Sequence, residues 1–444
     1  MGFCILFLVL GVLRIQIAEF DINNDRLSKL NDNFSDIVLT GVVLNEPDIR
    51  DKVQKLEIKI NDSTVLVTAT RYPDFQYLDK IKIVGKLKTP GIDDDGGGQS
   101  YKNYLMKDGI YSVVDFPKIE LVGKEKPNTL QVVYSGILWF KQKLRESIRK
   151  NYLPPQSSIL EGTILGDNGV MSSDLKNKLN ITGLRHIIAV SGTHVVILTS
   201  IIISALLAIG ISRNKSFYIT IIFICLYVIL TGMVPSGIRA GIMGGLFLLA
   251  QKLGRQANSS RIIVLAGAIM LLQNPLLLVY DIGFQLSFLA VLGLIYFEPL
   301  IRTFLNFAAQ AIFNLKIEEK KEAFLSMFTT TFAAQIFTLP IMIFNFGNIS
   351  WIAPITNILI LPIVYYLMLF GFLSSFIGIL SSTLGWILSV PCYLLLSYFI
   401  WVINFFGQPW AAKTIQNVSW YWLLFYYIII SFITRFFRKK IAAF

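Results

Sequence analysis

Residues 183–194 gather polar and ionisable side chains at the start of a long apolar run. The stretch reads GLRHIIAVSGTH and contains both histidines of the chain, His186 and His194, together with Arg185 and Ser191. An ionisable side chain inside a membrane span is costly, so it indicates a function by default. A serine three residues before a histidine can place a nucleophile beside a base, but small residues there can equally permit close helix packing. A polar path through the membrane and an intramembrane hydrolase that uses Ser191 and His194 both stay open.

Further polar groups stand at the starts of other apolar runs, or within them. We predict that Arg239 and Asp281 begin spans on the same side of the membrane, where they pair and lower each other's cost. The pair is either a structural contact between two helices or part of a polar lining for an anionic substrate. The residues that we expect along this path are His194, Ser191, Arg239, Asp281, Gln285 and Gln335.

The residue types present exclude several chemistries. Two histidines, and three cysteines that all lie in apolar segments, cannot form a His-rich zinc site or a two-metal hydrolase site. The sequence has no phosphate-binding Walker motif, so the chain is not itself an ATPase. We therefore predict no metal, no cofactor, no catalytic residue and no enzymatic activity, and no disulfide in the polar part of the chain.

Composition places the chain among polytopic membrane proteins. Hydrophobic residues make up 54% of the sequence and charged residues 15%, which is more apolar surface than a soluble protein of this length can bury. The net charge of +12 is uneven, because residues 21–127 hold 16 basic and 18 acidic residues whereas residues 128–444 hold 23 and 9. The basic excess belongs to the membrane part, where the positive-inside rule explains much of it.

Residues 34–122 have the pattern of a small β domain. Short, alternating, β-branched segments are separated by Gly, Pro, Asn and Asp, which predicts five strands. They suggest a small barrel of the oligonucleotide/oligosaccharide-binding (OB) type, with a loop at 91–100 and a short helix at 101–108. The predicted strands are residues 37–43, 55–61, 64–70, 80–86 and 111–114.

One segment of this domain combines aromatic and basic residues. OB barrels often bind single-stranded nucleic acid through such side chains. The group consists of Arg71, Tyr72, Phe75 and Tyr77. The alternative interpretation is a solvated turn with packed aromatic rings, which the slight acidic excess of the domain favours.

Residues 129–151 predict an amphipathic helix that is apolar in its first half and basic in its second. Such a helix can lie in the membrane interface, or it can present charge to phosphate groups. Short helices follow at 159–166 and 172–179, so residues 129–182 form a helical segment outside the membrane. The DNA-binding candidates of this segment and of the β domain are Arg71, Tyr72, Phe75, Lys141, Lys143, Arg145 and Arg149.

We predict about ten spans in the cell membrane. One is an uncleaved anchor within residues 1–20, favoured over a signal peptide, and the others lie within residues 183–434. Alternate loops and the tail at 435–444 hold thirteen basic residues, whereas the opposite short loops hold only Lys413. The basic side faces the cytoplasm. Both termini are therefore predicted to be cytoplasmic, with the β domain and the helices of 129–182 on the outer face.

Several motifs, in order along the chain, resemble one family. Residues 183–194 are similar to the central motif of the ComEC-type competence proteins, the inner-membrane channels for transforming DNA. The other motifs that resemble this family are SYKNYLMKDGI at 100–110, LEGTILGD at 160–167, PSGIRA at 235–240, DIGFQLSF at 281–288 and QIFTLP at 335–340.

The resemblance implies an α-helical polytopic membrane protein with an external OB-like domain that passes single-stranded DNA inward during natural transformation. Many family members carry a C-terminal metallo-β-lactamase-like domain, whereas this sequence ends at Phe444 after a basic tail. We therefore expect its partners to be single-stranded DNA, membrane lipid, a separate nuclease, a DNA receptor and a cytoplasmic helicase or motor. A transporter of another anionic polymer or of a lipid-linked substrate is the alternative, beside the intramembrane hydrolase.

Overall fold

The structure is a computed structural model, and it describes residues 2–33, 35–50, 52–91, 98–255, 258–313, 319–415 and 418–441. Most of the predicted 91–100 loop and the end of the predicted tail lie outside these residues. The chain begins with helix α1 (Gly2–Asn24), which covers the predicted anchor. The Arg14 side chain donates from Nε to Leu272 O (3.1 Å) and from Nη2 to Gln273 O (2.6 Å), so α1 is tied to the helical part of the chain.

A mainly antiparallel sheet follows α1. Its order is β6-β4-β3-β1-β5-β7 with β2 beside β3, and the β4–β6 pair is parallel. Helix α2 (Gly98–Lys107) joins β5 to β6, as the sequence predicts. The strands are β1 (Ile37–Val43), β2 (Asp48–Ile49), β3 (Val53–Ile60), β4 (Ser63–Thr70), β5 (Asp79–Gly85), β6 (Ile110–Asp115) and β7 (Lys118–Lys124).

The predicted strands are confirmed to within two residues, because side chains alternate between the two faces of each strand. In β3, Leu56 and Ile58 point into the core between more exposed neighbours. The OB barrel is not confirmed, since the described strands form an open path from β6 to β7. An isolated antiparallel bridge joins Lys88, which follows β5, to Val113 of β6. Strands β2 and β7 were not predicted, because β2 has only two residues and β7 is mostly exposed.

The rest of the described chain is helical. Helix α3 begins with a capping box, in which Asn128 and Gln131 exchange side-chain and backbone hydrogen bonds of 2.9 and 3.0 Å. Two short strands, β8 (Asn348–Ser350) and β9 (Ala412–Thr414), pair between the long C-terminal helices. The helices are α3 (Thr129–Asn151), α4 (Gln156–Leu165), α5 (Ser173–Thr182), α6 (Arg185–Ile188), α7 (Gly192–Ala208), α8 (Arg213–Leu230), α9 (Pro235–Lys252), α10 (Ser259–Gln273), α11 (Leu277–Tyr280), α12 (Ile282–Tyr296), α13 (Glu298–Phe313), α14 (Glu319–Phe346), α15 (Ala353–Leu380), α16 (Ser382–Phe406) and α17 (Trp420–Ile441).

Five helices of the described chain are long and apolar enough to cross a membrane, and a sixth span results if α12 and the start of α13 count as one bent span. The prediction of about ten spans is therefore not confirmed. Apolar runs such as α7 and α10 end before they reach 18 residues, and Gly210, with φ +81°, follows the C-cap residue of α7. The five spans by this criterion are Arg213–Leu230, Leu325–Phe346, Ala353–Leu380, Ser382–Phe406 and Trp420–Phe437.

The helical core lies where α3 and α4 pack against α15 and α16. Gly378 and Gly385 allow α15 and α16 to touch, because a Cβ on Gly385 would lie 2.4 Å from Gly378 Cα. The second half of α3 is buried here through Leu144 and Ile148, whereas apolar side chains of its first half are exposed. The basic half of α3 is therefore a packed element, and only its first half offers an apolar face to a membrane interface.

Candidate functional site

Arg239 lies one turn into α9, a helix that begins with Pro235 at its first position. Its side chain is buried, and Nη1 donates to the carbonyl oxygen of Gly283 at 3.2 Å. The guanidinium carbon lies 5.9 Å from the centre of the Phe288 ring. The arginine thus meets the beginning of α12 through a backbone dipole and an aromatic face.

Asp281 caps the N-terminus of α12. Its Oδ1 accepts the backbone N–H of Phe284 at 2.8 Å, which is the usual role of an Asp at this position. Its Oδ2 lies 3.5 Å from Nζ of Lys107. Both side chains of the predicted Arg239–Asp281 pair are described, and no nitrogen of Arg239 lies within the 4.0 Å of a carboxylate oxygen that would define an ion pair. The predicted direct pair is therefore wrong, because a lysine from the sheet domain takes that place.

Lys107, at the end of α2, connects the sheet domain to the helices. Its ammonium group contacts both oxygens of Asp108 (2.9 and 3.0 Å) and lies 4.4 Å from the centre of the Tyr104 ring. Its backbone carbonyl accepts a hydrogen bond from the Asn274 side chain at 2.7 Å. Burial lowers the pKa of Lys107, but the carboxylates of Asp108 and Asp281 raise this pKa by more, so the lysine is charged. We call Lys107, Asp108, Asp281 and Arg239 the Lys107 cluster.

Ser191 and His194 form the N-cap of α7. The Nδ1 atom of His194 accepts the Ser191 backbone N–H at 3.1 Å and lies 2.8 Å from Ser191 Oγ. Ser191 Oγ also lies 2.6 Å from Thr193 Oγ1. The Nε2 atom of His194 is buried without a partner among the described residues, so no third group orients the ring as it would in a hydrolase triad. Ser236, three residues before Arg239, donates to Val190 O at 2.6 Å and joins this cap to the start of α9.

The two glutamines lie at different levels of the helical domain. Gln285 folds back onto α11, because its Nε2 donates to Leu278 O (3.0 Å) and Val279 O (3.1 Å). Gln335, on α14, donates to Ser350 O at 3.4 Å. Its neighbour Ala333 touches Gly293, eight residues along α12 from Gln285, which is ~12 Å along the helix axis. Gln285 therefore lies near the Lys107 cluster, whereas Gln335 lies on α14 beside β8, about two turns farther along the axis of α12.

The aromatic-basic group of the sheet domain splits into packed and exposed members. Phe75 is 6% exposed and belongs to the sheet core, and the Tyr77 ring packs edge-on against Tyr134 of α3 at 4.9 Å. Tyr72 is 71% exposed, and the guanidinium carbon of Arg71 lies 5.3 Å from its ring centre. Beside them a cavity of about 200 Å³ is lined by Ala69, Thr70, Pro73, Phe75, Phe116, Pro117 and Ile119.

Four basic residues of α3, the DNA-binding candidates, are held by carboxylates. Lys141 Nζ lies 2.7 Å from both Glu46 and Asp167, and Arg145 contacts the same two residues at 2.7 and 2.6 Å. We call these four residues the Glu46 cluster. The other two DNA-binding candidates of α3 are also paired: Lys143 with Glu146 at 2.8 Å, and Arg149 with the buried Glu161 through two hydrogen bonds.

Sequence reasoning missed Lys107, Glu46 and Asp167. Lys107 and Asp167 lie in the stretches 100–110 and 160–167, which resemblance singled out without assigning them a role. Lys107 pairs with its neighbour Asp108, but Asp281 and the residues of α3 that contact Glu46 and Asp167 are distant in sequence. No local pattern could have revealed these longer-range contacts. Among the described residues no group of three His, Cys, Asp or Glu side chains is arranged to hold a metal ion.

The chain is similar to known proteins over most of its length. It is 27% identical to ComE operon protein 3 of Bacillus subtilis (strain 168) over 343 residues, which are 76% of this chain and 39% of that protein. It is 23% identical to the uncharacterized protein YcaI of Escherichia coli (strain K12) over 290 residues, 61% of this chain and 35% of the relative. The chain thus spans less than half the length of these two relatives. No solved structure matches it. The sequence model of the "Competence protein" family matches residues 163–440, well over half of the chain, and the protein therefore belongs to this family.

Proposed function

We propose that this protein conducts single-stranded DNA across the cell membrane during natural transformation. The observation that carries the proposal is Arg239: a buried guanidinium at the start of α9, held by a backbone carbonyl and an aromatic ring instead of a carboxylate. A buried cation without a carboxylate in direct contact is costly, so its presence at the start of α9 favours an anionic substrate.

A path that presents few unpaired cations, such as Arg239, suits the passage of a DNA strand. Phosphate contacts dominate the affinity of proteins for nucleic acid, so a strongly basic pore would hold the strand instead of passing it. Arg239 supplies one attractive charge, while Gln285 and Gln335 offer uncharged hydrogen-bonding groups at two depths. Asp281, Ser191 and His194 line the same entrance through α12 and α7.

The sheet domain receives the strand on the outer face of the membrane in this proposal. Tyr72 and Arg71 are its exposed members, and an aromatic ring beside a cation is the usual platform for an unpaired base. Lys141, Lys143, Arg145 and Arg149 contribute less, because a phosphate would have to displace their carboxylates. With the termini in the cytoplasm, we propose a separate nuclease, a DNA receptor and a cytoplasmic helicase or motor as partners.

The test is nuclease-protected uptake of end-labelled single-stranded DNA in cells that lack this gene, with and without complementation. We expect protection only in the complemented cells, and a loss of at least ~10-fold in Arg239→Ala at equal membrane abundance, since one buried charge-assisted contact is worth more than ~1.4 kcal/mol. Arg239→Lys should retain part of the uptake. The matched control is Arg261→Ala, at an exposed arginine in the first turn of α10. Normal uptake by Arg239→Ala, or equal uptake of labelled polyphosphate, would contradict the proposal.

A second candidate, an intramembrane hydrolase, rests on the 2.8 Å contact between Ser191 Oγ and His194 Nδ1. The helix cap explains this contact without catalysis, because the same nitrogen accepts the Ser191 backbone N–H. Labelling of the purified protein with a serine-reactive fluorophosphonate decides between them. We expect no labelling above that of Ser191→Ala, whereas labelling of Ser191 that His194→Ala abolishes would establish the hydrolase.

A further inference from the structure

We infer that Lys107 is a positioning residue: it occupies Asp281 and thereby leaves Arg239 free to meet a phosphate group of the substrate. The inference rests on the proposed function, and it assigns to Lys107 of the sheet domain an indirect part in substrate binding, through Asp281 and Arg239.

Both carboxylate oxygens of Asp281 are engaged by groups other than Arg239. Oδ1 is engaged by the backbone N–H of Phe284 and Oδ2 by Lys107, whose side chain is 1% exposed against 6% for the aspartate. The positive end of the α12 dipole adds to this compensation. The charge of Asp281 is therefore balanced by groups other than the nearby arginine.

Arg239 is the second cation near Asp281. The charge of Asp281, at the N-cap of α12, acts on Arg239, but the hydrogen bond of Arg239 goes to Gly283 O. If the charge of Lys107 were removed, Arg239 would be the cation that remains in electrostatic reach of the buried carboxylate. Attraction between opposite charges is strong where water is excluded, so the guanidinium would turn to Asp281 and leave the substrate.

Lys107 also holds α2 against the helical domain, and this contact does not depend on the charge of its side chain. The contact of α2 with the helical domain also uses the backbone of Lys107, whose carbonyl accepts from Asn274 at 2.7 Å. Replacement of the lysine by methionine keeps this hydrogen bond and most of the side-chain volume. A Lys107→Met variant therefore removes the charge while the docking contact stays.

The experiment is a double-mutant rescue in the same uptake assay, at equal membrane abundance. We expect Lys107→Met to lower uptake at least fivefold, and Lys107→Arg to stay near the wild type. The Lys107→Met/Asp281→Asn double variant should recover to the level of Asp281→Asn alone, because Asp281, the carboxylate that acts on Arg239, has then lost its charge. Lys102→Met, on the same helix, is the control and should behave as the wild type.

A second measurement does not depend on transport. For the purified protein in lipid nanodiscs, the binding constant of oligothymidylate falls with salt by ~0.7 in logarithmic slope for each phosphate neutralised. Lys107→Met and Arg239→Ala should each lower this slope by about that amount. The Lys107→Met/Asp281→Asn double variant should restore the slope of the wild type.

The outcomes distinguish this inference from the proposed function. A double variant as impaired as Lys107→Met, in uptake and in salt slope, would show that Lys107 is merely structural and overturn the inference. Impaired Arg239→Ala with normal Lys107→Met would overturn the inference alone. Normal Arg239→Ala would remove the proposed function and the inference with it.

Discussion

Two charged clusters connect the sheet domain to the helices, and they differ in how their charges are compensated. In the Glu46 cluster, two cations and two carboxylates interlock, and each cation touches both acids at 2.6 to 2.7 Å. In the Lys107 cluster, one lysine serves two carboxylates, and the second cation, Arg239, touches neither. The number of charges does not distinguish the clusters, since each contains two basic and two acidic residues.

The difference indicates a division of roles. A fully paired, partly buried cluster fixes two elements relative to each other and has no charge to offer a ligand. A cluster in which one cation contacts only a carbonyl and a ring keeps that charge for an anion. We therefore expect variants of the Glu46 cluster to change stability, and variants of the Lys107 cluster to change substrate binding.

The largest expected effect on stability is that of Asp167→Asn. Lys141, with its side chain 4% exposed, and Arg145 would then share Glu46 alone, and a buried cation that loses a carboxylate costs ~2–3 kcal/mol. The thermal unfolding midpoint of the protein in detergent should fall, with uptake per folded molecule unchanged.

The control for this variant is Asp174→Asn, whose carboxylate pairs with Lys178 in an exposed i,i+4 contact at 2.9 Å. Such pairs contribute less than ~1 kcal/mol, so the midpoint should hardly move. A stable Asp167→Asn protein with reduced uptake would reverse the roles that we assign to the two clusters.

A smaller effect is expected for Lys141→Met. Arg145 remains to serve Glu46 and Asp167, and methionine keeps the packing of the lysine stem, so the cost is ~1–2 kcal/mol. Uptake per folded molecule should not change, because Lys141 is already paired. Lys143→Met, at a more exposed position of the same helix, is the matched control and should cost less than ~0.5 kcal/mol. If Lys141 instead binds DNA, the salt slope of oligothymidylate binding will fall in Lys141→Met but not in Lys143→Met.

The sequence predicted local structure better than the partners of its charged residues. The alternation of residues in β3 and β4 predicted their bounds to within two residues, and the short helix predicted at 172–179 is α5, where Oγ of Ser172 accepts the Leu175 N–H at 3.3 Å. Arg239 and Asp281 were identified as costly groups at helix starts, but their mutual pairing was wrong. The partner that Asp281 contacts lies in the sheet domain, far away in sequence.

The same limit applies to α3. The periodicity of its residues predicted the helix and its basic half, yet Glu46 and Asp167, which pair with Lys141 and Arg145 of that half, come from a strand connection and from the turn after α4. Spacing within one element cannot show which distant carboxylate will fold against it. The apolar pattern predicted about ten spans, whereas five or six in the described chain meet the criterion of length and composition, because apolar helices such as α7 and α10 are shorter than 18 residues.

The smallest effect concerns Glu57 of β3, near the Lys107 cluster. Burial raises the pKa of Glu57; the Asn45 hydrogen bond opposes this and the charge of Asp108 adds to it. A carboxyl whose pKa is higher in the folded state binds a proton more readily there, so its destabilising contribution is present at neutral pH. That contribution is relieved as the pH falls through the raised value toward the ordinary value of 4.5.

Glu57→Gln should therefore raise the free energy of unfolding at pH 7.5 by up to ~0.5 kcal/mol, which is seen as a higher thermal unfolding midpoint. The gain should vanish near pH 4. The glutamine oxygen can still accept the Asn45 hydrogen bond of 2.6 Å, so the variant isolates the charge. Glu120→Gln, at an exposed position of β7, should give no gain at either pH. A gain that persists at pH 4 would point to packing instead of charge. No gain at pH 7.5 would mean that the carboxylates near Lys107 are already compensated, and the contrast between the two clusters would then rest on Arg239 alone.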